Sequence, residues 1–184
     1  MTAPPVLVTS TLPDSRSSRE IGKLAVWTVT SAKPGNGVEL LRDGREDTYW
    51  QSDGSQPHLV NVQFQKKVRL LELAINLDYK LDESYTPNKI SVRAGTSVHD
   101  LKEIRVVELN EPIGWVKIPL QPPNSSENLK AYCMQLAILS NHQNGRDTHV
   151  RQMKVFGPRH DVLQPLGQEI GFTTVELSQF ATVR

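Results

Sequence analysis

LVNVQFQ at residues 59–65 decides the fold: Val60, Val62 and Phe64 share one parity, while Asn61, Gln63 and Gln65 share the other. A period of two places apolar side chains on one face of an extended chain and polar ones on the other, as in a sheet with one wet face. Leu71, Leu73, Ile75 and Leu77 repeat the pattern, opposed by Glu72 and Asn76.

Working outward, strand-like segments are expected at residues 24–31, 59–64, 68–77, 89–94, 101–109, 115–120, 131–139 and 150–156. Many short strands separated by turn residues predict an all-β sandwich. Near Ile104 the period slips, because Ile104 and Val106 share one parity while Val107 and Leu109 share the other. A bulge or an edge position would each explain it. Helical signal is confined to residues 37–42, a turn or two at most. Residues 1–19, rich in proline, serine and threonine, read as a disordered leader. Residues 20–157 then form one domain, and residues 158–184 a C-terminal extension.

Bulk properties narrow the function. Lys and Arg total 21 against 20 for Asp and Glu, so a net charge of +1 gives no long-range pull toward nucleic acid or an acidic membrane. The densest basic run, Lys66-Lys67-Val68-Arg69, has no interleaved aromatics and reads as a solvated turn. One cysteine, Cys133, excludes an intramolecular disulfide; it sits in an apolar run and reads as a buried hydrophobe. No stretch has signal-peptide character or membrane-spanning length, so a soluble protein of nucleus and cytoplasm is expected. Trp27 and Trp50 read as core residues, while Trp115 opposes the parity of Val116, Ile118 and Leu120.

Three polar connections are candidate site loops: residues 52–58, 79–88 and 140–149. Asn, Asp, Gly, Ser and Pro also fill ordinary turns, and composition alone does not separate the readings. The third loop exceeds what a hairpin needs, since Asn144-Gly145 would turn the chain unaided. That leaves Asn141, His142 and Gln143 to hydrogen-bond a peptide backbone, and Asp147 to pair with an arginine. No nucleophile motif, phosphate loop or zinc spacing is present, so an enzyme, a cofactor and a metal held by His142, His149 and Asp147 are not expected.

LLRDGREDTYWQSDG at residues 40–54 resembles the early signature of galactose-binding-like jelly rolls. WQSDGSQPHLVN at 50–61, DESYTPNKISVR at 82–93 and NHQNGRDTHVRQ at 141–152 sharpen it: from about Arg19 to Gly157 the chain is similar to the DOC-domain subunits of the anaphase-promoting complex. The resemblance implies a galactose-binding-like jelly-roll β-sandwich with flexible N- and C-terminal tails. It implies no enzymatic activity, but a part in binding destruction-box degrons beside a WD40 co-activator, which raises the processivity of ubiquitin transfer by other subunits. The degron-binding residues it implies are Asn141, His142, Gln143 and Asp147, with Ser52, Asp53, Ser84 and Tyr85 from the other loops. Family members commonly end in Ile-Arg, a tail entering a tetratricopeptide-repeat groove; here Val183-Arg184 ends the sequence, one methylene shorter. The alternative is a glycan- or lipid-headgroup-binding module of discoidin type, which the lack of a signal peptide and of a disulfide disfavours.

Overall fold

The computed structural model describes residues 5–12, 17–121 and 128–159. In chain order the strands are β1 (Leu7–Thr9), β2 (Ser18–Glu20), β3 (Ala25–Val29), β4 (Trp50–Gln51), β5 (His58–Leu70), β6 (Glu72–Asp78), β7 (Pro87–Gly95), β8 (Lys102–Glu108), β9 (Ile113–Pro119), β10 (Leu129–Asn141), β11 (His149–Val150) and β12 (Gln152–Pro158). One sheet runs β1-β9-β6-β12-β2 and the other β3-β5-β10-β7-β8, with β4 and β11 forming a short ribbon. Neighbouring strands are antiparallel.

The period-two pattern produces the core. Val60, Val62 and Phe64 of β5 are buried against Leu73, Ile75 and Leu77 of β6, in a cluster that both sheets supply. Trp27 and Trp50 join it, each indole N–H donating to a carbonyl, Trp27 to Gly22 and Trp50 to Ser31. Trp115 instead packs with Ala74 and Phe156 in a separate cluster, against which Leu12 rests. Cys133 is buried, and burial pushes its thiol above the ordinary value. The residue 37–42 signal is a 3-10 helix over Val38–Leu41.

Both explanations of the slip at Ile104 hold. β8 is an edge strand, and Val92 faces Arg105 while Arg93 faces Glu103, so Ile104 is the bulged residue. The bulge lets Ile104 and Val107, of opposite parity, both pack on the core.

Two expectations need correction. Residues 1–19 are not wholly a leader: β1 pairs with β9 and β2 with β12. These strands are three residues long and held by backbone bonds, so they leave no side-chain period to read. Lys66-Lys67-Val68-Arg69 lies inside β5 rather than in a turn. Ala131 faces Val68 but Cys133 faces Gln63, so residues 64–67 bulge from the ladder, which is why their composition resembles a turn. Beyond Arg159, the C-terminal extension, with Val183 and Arg184, lies outside the described residues.

Candidate functional site

The three loops converge at one end of the sandwich, where β5 begins and β6 and β10 finish. β6 is followed by a one-turn helix, α1 (Tyr79–Asp82), capped by the Asp78 carboxylate accepting from Leu81 N, and by a 3-10 turn over Glu83–Tyr85. The third loop opens with a 3-10 turn over His142–Asn144.

That third loop is braced from within. Asn141 is buried, and its Nδ2 donates to the carbonyls of Gly145 at 3.1 Å and Asp147 at 2.8 Å. Ser52, also buried, accepts at Oγ from Thr148 N at 2.9 Å. Next to it, His58 donates from Nε2 to Arg146 O at 2.7 Å. His142 is half-buried: its N–H donates to Thr86 O, its Nδ1 lies 3.0 Å from the same oxygen, and its Nε2 accepts from Glu111 N at 3.2 Å. In these contacts Nδ1 is the donor and Nε2 the acceptor.

The turn is not made by glycine conformation. Gln143 and Asn144 take left-handed backbone, φ 52° and 55°, whereas Gly145 has φ −58°. Gly145 is required for close approach instead, since a Cβ there would collide with the Ser84 backbone carbonyl. Left-handed backbone at a non-glycine such as Gln143 costs about 1 kcal/mol and persists where surrounding structure enforces it.

Of the eight expected degron-binding residues, Gln143, Asp53 and Tyr85 are exposed, His142, Asp147 and Ser84 are half-buried, and Asn141 and Ser52 are interior. Gln143 donates to the Tyr79 hydroxyl at 3.3 Å, and Tyr79 packs on His142 with ring centroids 4.8 Å apart. The site joins loops two and three directly and reaches loop one through Ser52, Gln56 and His58.

Beneath the loops lies an arrangement the sequence reading missed. His149 is sandwiched between Tyr49 and Tyr85, ring centroids 4.0 and 4.2 Å away. Its Nδ1 faces Asp82 Oδ1 at 3.1 Å, and Arg151 binds both oxygens of the same carboxylate. Burial alone would raise the Asp82 carboxyl, but hydrogen bonds from His149 and Arg151, with the guanidinium charge, hold it below the usual range. Arg151 also donates to Glu46 O. Gln152 donates to Asp43 and accepts from Gly44 N, tying the first signature segment to the last. Asp82, Arg151 and Gln152 all lie within the quoted segments, but their burial shows only once the loops pack.

His142 and His149 face different partners and do not converge on Asp147. Among the described residues, the buried side-chain polar atoms without a partner, apart from Glu72 Oε1, belong to His58, Thr86, Asn141, Asp147 and His149. Such concentration at one end marks a region shaped for something other than stability. What the loops offer outward is the Gln143 amide, the Asp53 carboxylate and the Tyr85 phenol.

A family model described as "Anaphase-promoting complex, subunit 10 (APC10)" matches residues 8–182, further in both directions than the signature segments reach. "Anaphase-promoting complex subunit 10" of Dictyostelium discoideum is 54% identical over 165 residues, covering 90% of this chain and 86% of that one. The protein of the same name from Homo sapiens is 51% identical over 166 residues, covering 90% and 88%. Among solved structures, the family 32 CBM from C. perfringens NanJ in complex with galactose aligns with a TM-score of 0.63 over 76% of this chain and 98% of its own. At 12% identity that likeness shows the galactose-binding-like jelly-roll fold alone.

Proposed function

The chain belongs to the family of anaphase-promoting complex subunit 10, and on that premise we propose that it is a non-catalytic, substrate-recognising subunit that raises the processivity of this ubiquitin ligase. In this reading it holds the destruction box of a substrate jointly with a WD40 co-activator, while other subunits transfer ubiquitin. Val183 and Arg184 attach it to a tetratricopeptide-repeat subunit, and it works in the nucleus and cytoplasm.

The observation that carries the proposal is the tip at Gln143. An exposed amide stands on left-handed backbone beside His142, in the same loop as Asp147, and the buried framework of Asn141, Ser52 and His58 holds that loop in place. A preformed polar edge of this kind suits an extended peptide, because the ordering cost is met before the ligand arrives. Asn141 and Ser52 serve as positioning residues, and Gln143 and Asp147 make the contacts.

Fluorescence anisotropy of a destruction-box peptide tests it, with this chain titrated in the presence of the co-activator. The expected result is tighter capture by the two proteins together than by the co-activator alone, lost in the double variant Gln143→Ala, Asp147→Ala. Galactose is the comparison ligand, since a solved protein of the same fold holds it. Galactose binding with no gain for the peptide would replace this reading with a glycan-binding module.

A further inference from the structure

The far end of the sandwich, away from the loops, carries a feature that degron binding leaves unused. Two adjoining depressions of about 230 and 480 Å³ share Leu24 and Val68 as common lining. Ile21 and Phe64 complete an apolar floor. The walls are Arg19, Lys23, Lys66, Lys67 and Arg69, all exposed. Among the described residues, no carboxylate lines either depression, and none of these five cations forms a salt bridge.

Their gathering is not a consequence of composition. The chain's net charge is only +1, so five cations at one end leave the remainder net acidic. β5 links the two ends: His58 holds the Arg146 carbonyl in the loop site, and Val68 floors the furrow. The paired stretch of β10, from Ile138 to Ala131, puts them seven residue steps apart, roughly 23 Å at about 3.3 Å per residue. Leu24 stays 56% exposed, an apolar side chain that a partner could cover.

We infer that this furrow docks an acidic, extended segment of another subunit of the complex, with carboxylates against the lysines and arginines and an apolar side chain over Leu24 and Val68. A subunit that offers one end to substrates needs a separate face for the assembly, and charge complementarity names the partner's chemistry. The bulge at residues 64–67 serves the contact by swinging Lys66 and Lys67 out of the ladder. The inference rests on membership in the complex and not on how the loops read a degron.

The test is the dissociation rate of the full-length chain from complex that lacks its own subunit 10, measured across a salt series. Wild type is compared with Lys66→Glu/Lys67→Glu/Arg69→Glu and with a control reversal at Lys33→Glu/Lys102→Glu. The expected result is dissociation at least about tenfold faster, with a shallower salt dependence, for the furrow variant alone. Exposed substitutions of this kind leave folding intact, and an unchanged melting temperature checks it. Equal rates and salt slopes for wild type and the furrow variant overturn the inference. So does loss of binding to a DNA oligonucleotide with dissociation unchanged, which would make the furrow a general polyanion surface.

Discussion

Arg151 closes a bidentate pair on Asp82, Nη2 to Oδ1 at 2.8 Å and Nε to Oδ2 at 3.0 Å, directly beneath the loops. Both side chains are buried, and the carboxylate also meets His149 in the Tyr49–Tyr85 stack. The pair therefore sets where the second and third loops stand relative to each other.

Replacing Asp82 with Asn leaves a buried guanidinium without its counter-charge, and a loss of about 3 kcal/mol is expected in urea denaturation at pH 7. The folded carboxyl lies below its ordinary value. Its contribution is thus fully present above the unfolded value of about 4, and lost as pH falls through the folded value. The stability gap between wild type and Asp82→Asn should narrow below that pH. A gap that stays constant as pH drops would contradict the pairing.

Gly145→Ala should push loop three off Ser84, because the added Cβ meets a backbone oxygen that cannot rotate away. Overpacking of this kind costs about 1–3 kcal/mol. Thermal melting should show the loss, and affinity for the destruction-box peptide should fall with it.

Asn141→Ala and Gln143→Ala should part company. The first removes two hydrogen bonds to the loop's own carbonyls from a buried amide and should cost about 1–3 kcal/mol. The second removes an exposed side chain and should change stability by less than about 0.5 kcal/mol. Peptide affinity should drop in both, so stability and binding measured together separate positioning from contact.

Deleting Val183 and Arg184 should weaken co-purification with the complex while leaving peptide affinity with the co-activator unchanged. Undiminished co-purification would remove the tail from the docking account.

Alternation at Val60, Val62 and Phe64 made the sheet legible, because burying one face demands it. Even the defect at Ile104 was visible as a parity break. β1 and β2 were not, since Leu7 and Val8 stay exposed and the strands are held by backbone bonds that carry no residue code. The loops were legible as a region, but orientation within them was not. Asn141 and Gln143 read alike as amides, yet one faces inward and the other out. The Asp82–Arg151 pair lay hidden because its partners are far apart in the chain and meet only when two loops pack. Lys66 and Lys67 looked like a turn because a bulge has a turn's composition.

The most direct measurement is ubiquitin chain length per substrate-binding event, using complex stripped of its own subunit 10 and a destruction-box substrate. Added wild-type chain should restore long chains in one encounter, and the Gln143→Ala, Asp147→Ala form, equally well incorporated, should not. Equal restoration by both proteins, or by neither, would contradict recognition through this loop.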